Sequence, residues 1–177
     1  MWRAGVALGS NLGDRLGLLR EATRQLRDLA APGEPFLTAS IYQTPPWQCP
    51  EGSPVFLNTV VEFSCRLEPL ELLARLRAIE TILGRTRDGV HHAPRLMDLD
   101  LLYHGERIWS DEDLTLPHPR IAERRFVLQP LAEIRPDLVL PGAVFTIAEM
   151  LAMLPVDEQQ LEKLKVDEVS TMDRSRP

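Results

Sequence analysis

Cysteine is almost missing from this chain. Cys49 and Cys65 are the only two, they form no CxxC pair, and two thiols build no disulfide framework. Lysine is as scarce: Lys163 and Lys165 stand alone, and every other basic side chain is arginine. No apolar run approaches membrane-spanning length. The short apolar run after Met1-Trp2-Arg3 ends at Ser10-Asn11-Leu12-Gly13-Asp14, too soon for a signal peptide, so a cytoplasmic protein is expected. A basic surplus is absent as well, and a net charge of −6 speaks against general nucleic-acid binding. Glycine-rich phosphate cradles are missing: there is no GxxxxGK[ST] and no GxGxxG, since Gly9-Ser10-Asn11-Leu12-Gly13 has the wrong spacing. The protein-kinase set is missing too. No HExxH or His/Cys cluster joins His91, His92, His104 and His118, which disfavours zinc.

What remains is an ordinary globular composition, 44% hydrophobic and 26% charged over 177 residues, which suits one domain. Val6–Gly9 reads as a buried strand. Ser10 or Asn11 can cap the following helix, whose Leu12, Leu16, Leu19 and Leu26 keep helical spacing to about Leu29. Phe36–Thr44 reads as a second strand, Pro45–Pro54 as a proline-rich loop, and Leu57–Cys65 as a third strand with Val61 and Phe63 alternating against Glu62 and Ser64. Glu68–Leu83 is a long helix ended by Gly84. Arg85–Pro94 is a polar loop and Leu96–Tyr103 a fourth strand. The order strand, helix, strand, strand, helix, strand is the ferredoxin-like βαββαβ pattern of an α+β fold. A C-terminal helical extension follows: a loop and helix within Pro117–Ile134, a short strand at Leu138–Leu140 and a helix over Thr146–Leu154. Residues 1–155 therefore form the expected domain. Residues 156–177 read as a polar tail, a frayed helix or disorder.

Asp98 and Asp100 stand out in Leu96-Met97-Asp98-Leu99-Asp100-Leu101-Leu102. Strand side chains alternate, so both carboxylates leave one face with Cα atoms about 6.6 Å apart. Paired carboxylates repel unless a cation lies between them, and hard oxygen ligands suit Mg²⁺. Alone, the pair would equally suit an exposed strand face carrying two acids. Its flanks add Arg85, Arg87 and Arg95 upstream and His118, Arg120, Arg124 and Arg125 downstream. Arginine makes bidentate contacts to phosphate, and a metal ringed by arginines is what a polyphosphate needs. The plainer alternatives are a solvated loop for Arg85 and Arg87, a salt bridge for Arg95 and a loop histidine for His118. Trp47, Phe56 and Phe126 could wall a flat heteroaromatic ligand whose edges meet Asn58, although core packing is the commoner role for such aromatics.

Ala93-Pro94-Arg95-Leu96-Met97-Asp98-Leu99-Asp100 resembles the G-P-R-x-x-D-L-D signature of the 6-hydroxymethyl-7,8-dihydropterin pyrophosphokinases of folate synthesis. Ala7–Gly13, Tyr42–Pro46, Phe56–Asn58 and Pro117–Arg120 with Arg124–Leu128 resemble the same family, in its order. The resemblance implies that Asp98 and Asp100 hold two Mg²⁺ ions and act in catalysis with Arg85 and Arg95, which would lie in a mobile loop. It places Glu80, Arg85, Arg87, Arg95, Leu101, Thr115, His118 and Arg124 on the ATP side. Gly9, Thr44, Pro45, Pro46, Trp47, Phe56, Asn58, Asp98 and Phe126 fall on the pterin side, with Phe56 and Phe126 sandwiching the ring. Ala93, His92 and Trp47 depart from the family pattern, where glycine, tryptophan and a smaller apolar residue are usual.

The implied reaction moves pyrophosphate from ATP to the pterin and releases AMP. ATP and the pterin are then the only expected partners, with no nucleic acid and no membrane, and the chain is expected to be a monomer. Two other classes fit parts of the pattern. An RNA-recognition module would share the strand order, and another Mg²⁺-dependent phosphoryl-transfer enzyme would share the aspartate pair but yield ADP or phosphate.

Overall fold

The computed structural model describes residues 1–45, 54–84, 96–155 and 161–164. The strands are β1 Trp2–Ser10, β2 Leu37–Thr38, β3 Tyr42–Thr44, β4 Phe56–Cys65, β5 Asp98–His104, β6 Trp109–Ser110, β7 Thr115–Leu116 and β8 Glu162–Lys163. The helices are α1 Arg15–Leu29, α2 Pro69–Ile82, α3 Arg125–Ile134 and α4 Ile147–Met153. The main sheet runs β5-β1-β4-β3-β8, with β2 also paired to β4, and every pairing is antiparallel. β6 and β7 make a separate two-stranded ribbon.

The sheet is covered on both faces. Val6 and Leu8 of β1, Val61 and Phe63 of β4 and Leu99 and Leu101 of β5 pack with Leu19 and Leu26 of α1 and Leu72 and Leu76 of α2. On the other face Val60 and Leu102 pack with Val127, Leu128 and Leu131 of α3 and Ile147 of α4. This double cover explains why β4 is buried from Leu57 to Cys65 without the expected alternation of buried and exposed residues. Glu62, read from the sequence as facing outward, is wholly buried.

Local chemistry sets the element ends. Helix α1 begins one turn later than expected, because Asp14 and not Ser10 or Asn11 caps it: the Asp14 Oδ1 accepts from Gly17 N at 3.0 Å. Ser10 ends β1 instead. The expected second strand is split into β2 and β3. Between them the backbone N–H and hydroxyl of Ser40 turn to the Glu133 carboxylate of α3, at 2.9 and 2.7 Å. Helix α2 stops at Gly84, whose φ of +90° only glycine adopts readily. Leu138–Leu140 contributes an isolated bridge from Val139 to Thr146 in place of a strand. Thr146 caps α4 by accepting from Glu149 N at 3.2 Å. In the expected tail, Glu162 and Lys163 form β8 on the edge of β3, and Lys163 Nζ reaches Glu133 at 2.9 Å.

Candidate active site

Three strands bring one row of residues together. Gly9 in β1 pairs with Asn58 in β4 on one side and with Asp98 in β5 on the other. Two residues back, Ala7 pairs with Asp100. Directly paired residues of an antiparallel sheet share a face. Phe56, Asn58, Gly9, Asp98 and Asp100 therefore lie on the face that α3 covers further along. A Cβ at position 9 would stand 3.0 Å from Asn58 Oδ1 and 4.0 Å from Phe56 Cδ1, so glycine keeps the ground between the amide and the aspartates open. Asn58 is held from the other side: its Nδ2 donates to Thr44 Oγ1 at 2.8 Å, with both residues buried.

The aspartates enter the sheet from a clamped turn. Leu96 precedes them, its carbonyl accepts from Ser10 Oγ at 2.6 Å, and its side chain packs beside Gly13 and Gly84. A Cβ at either glycine would lie 3.3 or 2.9 Å from a Leu96 methyl, and both glycines have positive φ. Glu80 of α2 is buried and accepts the Leu99 backbone N–H at 2.8 Å, tying the helix to the strand between the two aspartates. Asp98 and Asp100 themselves are half-buried, while Met97, Leu99 and Leu101 point into the core.

The N-terminal end of α3 closes on this row. Arg124 caps the helix, and its Nη1 lies 3.0 Å from Asp100 Oδ2. Its guanidinium carbon stands 5.6 Å from the Phe126 ring centroid, and its buried Nε has no hydrogen-bond partner among the described residues. His118 is fixed nearby: its backbone N–H donates to the Leu102 carbonyl at 2.7 Å and its Nδ1 accepts from Arg120 N at 3.2 Å. Burial pushes the His118 pKa below the usual histidine value, and Arg124 and Arg120 push the same way against the pull of Asp100. With Nδ1 accepting, the neutral form of the ring carries its hydrogen on Nε2.

The structure thus gathers Gly9, Thr44, Phe56, Asn58, Asp98, Asp100, His118, Arg124 and Phe126 around one end of the sheet, with Glu80 behind it and the exposed Pro45 at the end of β3. Leu101 is different. Its side chain is 2% exposed, in the core under α1 and α2 and on the opposite face of β5 from Asp100. Thr115 sits exposed on the β6–β7 ribbon. Pro46, Trp47, Arg85, Arg87 and Arg95 lie outside the described residues. Two supports were missed in the sequence. Ser10 was read only as a cap, and Arg15, whose Nη1 donates to the Val55 carbonyl at 2.8 Å, fixes the chain just before Phe56. Neither residue has a local signal, because each partner is distant in sequence.

Chemically, the row offers a neutral amide edge and an aromatic face at one end and two carboxylates with an arginine at the other. Among the described residues no group of three or more His, Cys, Asp or Glu side chains converges. No helix of the described residues is long and apolar enough to cross a membrane.

The sequence profile of 7,8-dihydro-6-hydroxymethylpterin-pyrophosphokinase (HPPK) matches residues 5–136. The chain is 42% identical over 167 residues to the 2-amino-4-hydroxy-6-hydroxymethyldihydropteridine pyrophosphokinase of Methylorubrum extorquens, covering 93% of this chain and 100% of that one. It is 47% identical over 131 residues to the Bacillus subtilis protein of the same name, covering 74% and 77%. The fold is similar to that of the Plasmodium falciparum HPPK-DHPS chain, with a TM-score of 0.68 at 13% identity, over 85% of this chain and 44% of that longer one. With the profile running from β1 through α3, the chain belongs to the 7,8-dihydro-6-hydroxymethylpterin-pyrophosphokinase family.

Proposed function

We propose that this chain transfers pyrophosphate from ATP to the hydroxymethyl group of 6-hydroxymethyl-7,8-dihydropterin, releasing AMP, in tetrahydrofolate biosynthesis. The observation that supports the reading is the continuous row from Asn58 through Gly9 to Asp98 and Asp100, an amide edge beside an acidic, arginine-flanked pair in a chain of this family. The hydroxymethyl oxygen forms a bond to the β-phosphorus, the bond from the β-phosphorus to the α,β-bridging oxygen breaks, AMP leaves with that oxygen and the electron pair, and the hydroxyl proton passes to solvent.

The donor chemistry fits Mg²⁺. Two half-buried carboxylates on one strand face supply the one or two hard oxygen ligands that this ion takes from a protein, with water and phosphate completing its shell. Asp98 and Asp100 would hold it, two ions being expected, and when bound it supplies charge neutralisation of the phosphates and acidifies a coordinated hydroxyl. The chain's own residues do the rest by positioning and charge. Asn58, oriented by Thr44, meets the amide-like edge of the pterin. Phe56 and Phe126 take the ring faces, and Gly9 leaves room for its approach. Pro45, Pro46 and Trp47 border the same ligand. Arg124 and His118 meet the nucleotide phosphates, with Glu80 bracing β5 and Arg85, Arg87 and Arg95 adding charge. Thr115 is assigned to the ATP side on the family pattern alone.

The finer fold reading belongs to the same proposal. The order β5-β1-β4-β3, antiparallel throughout, with α1 and α2 as the crossovers, supports a ferredoxin-like core extended by α3 and α4. We read residues 1–155 as the catalytic domain of a cytoplasmic monomer. The RNA-module alternative shares the strand order, and a net charge of −6 counts against it.

The site assignment is tested with Asp98→Ala and Asp100→Ala. Each is expected to abolish pterin-dependent AMP formation while the thermal transition stays close to that of the parent. Near-normal turnover in either variant contradicts the assignment.

A further inference from the structure

We propose that Arg124 is the resident counter-ion of Asp100 and competes with a divalent cation for that carboxylate, so that the cation is accepted well only when a polyphosphate draws the arginine away. The proposal rests on the reading of Asp98 and Asp100 as cation ligands.

Three features of Arg124 support it. Its Nη1 already occupies Asp100 Oδ2 at 3.0 Å. The pair is neither sealed nor fully solvated, with side-chain exposures of 15% for Arg124 and 35% for Asp100. An ion pair at such a depth matters energetically yet can exchange partners. Next, the guanidinium is incompletely satisfied, because its buried Nε finds no acceptor among the described residues. A buried donor left unpaired is costly, and an anionic phosphate oxygen would relieve it with the planar fork that arginine offers. Finally, the guanidinium lies 5.6 Å from the Phe126 ring centroid, so it keeps a cation–π neighbour whichever anion it serves.

The consequence is a coupling between two ligands. A guanidinium on Asp100 withholds one carboxylate oxygen from an incoming cation and repels it by its own charge. A polyphosphate that takes Arg124 frees Asp100, and by linkage a cation on Asp100 frees Arg124 for the polyphosphate. The Arg120 backbone N–H is already committed to His118 Nδ1. The arrangement discourages metal from loading without nucleotide.

Mn²⁺ binding in the absence of nucleotide, followed by the electron paramagnetic resonance of the free ion, tests this directly. Arg124→Gln is expected to bind Mn²⁺ about fivefold more tightly than the parent, roughly the worth of one such ion pair. Arg124→Met, which keeps an apolar stem over Phe126, should reproduce the gain. Arg124→Lys, which keeps the charge, should stay within about twofold of the parent. Asp100→Asn should weaken binding in either background. Unchanged or weaker binding in Arg124→Gln and Arg124→Met, with binding still lost in Asp100→Asn, overturns the competition while leaving the metal site in place. Binding unaffected by Asp100→Asn overturns the metal reading and the competition with it.

Discussion

Arg135 Nη1 lies 2.6 Å from both carboxylate oxygens of Glu62, joining the C-terminal end of α3 to the middle strand of the sheet. Arg3 and the Tyr103 hydroxyl donate to the same buried carboxylate. Helix α3 is thus fastened at both ends by an arginine on a sheet carboxylate: Arg124 on Asp100 beside the site, and Arg135 on Glu62 behind it. Removing one partner of a buried ionic cluster leaves the others uncompensated. Glu62→Ala is expected to destabilise the fold by about 3–5 kcal/mol in urea unfolding. A loss under about 1 kcal/mol would mean that the cluster is solvated in a way its burial denies.

Gly5 makes that cluster possible. A Cβ at position 5 would fall 2.2 Å from Tyr103 Cε1, so the ring can lie across β1 toward Glu62 only over a glycine. Gly5→Ala must displace the ring or the strand, and a loss of about 1–3 kcal/mol is expected. Tyr103→Phe in the Gly5→Ala background tests the cause by differential unfolding. If the ring position is what the alanine disturbs, the two losses fall short of additive.

Gly9 has a comparable constraint with a catalytic readout. Its missing side chain leaves Asn58 Oδ1 room that a Cβ would narrow to 3.0 Å. Gly9→Ala is expected to raise KM for the pterin several-fold, with KM for ATP and the thermal midpoint nearly unchanged. An equal rise for both substrates would place the damage in the sheet.

Two histidines predict the acid side of the stability profile. His104 is wholly buried, its Nε2 meets the Leu67 carbonyl at 2.9 Å, and its Nδ1 has no hydrogen-bond partner among the described residues. Burial lowers its pKa, and Arg107 pushes the same way while the Leu67 carbonyl and Glu68 pull upward. His118 is lowered by burial too. A base whose pKa is lower in the folded state binds fewer protons there, so stability falls as pH drops below the unfolded value of about 6.5. Glu133 is raised by burial but held below its usual value overall by Ser40 and Lys163, and Glu149 is lowered by its Thr146 hydrogen bonds. Their contributions are present above the unfolded carboxylate value and are lost as pH falls through the folded one. The histidines therefore act first. His104→Gln should flatten the loss of urea midpoint between about pH 7 and pH 5.5, and an unchanged slope would remove His104 from the account.

Much of this was legible in local patterns. The apolar alternation of Met97, Leu99 and Leu101 fixed the face of Asp98 and Asp100, and the glycine at 84 ended α2 as expected. The same alternation misplaced Glu62, because its partners Arg3 and Arg135 stand 59 and 73 residues away. A charge reads as solvent-facing until its counter-ions are known. Ser10 misled for a similar reason: a hydroxyl before a helix suits a cap, but this one is spent on Leu96, 86 residues on. The short strand at Glu162 and Lys163 has no period of its own. Its backbone pairing to Tyr42 and Gln43 and the Lys163 contact to Glu133 hold it.

The central claim is one-step pyrophosphoryl transfer, and the direct measurement is nucleotide analysis after mixing the protein with MgATP, with and without 6-hydroxymethyl-7,8-dihydropterin. The account predicts AMP only when the pterin is present, with both the β- and γ-phosphorus of ATP recovered on the pterin. ADP or free phosphate as the product, or AMP formed without the pterin, would contradict it.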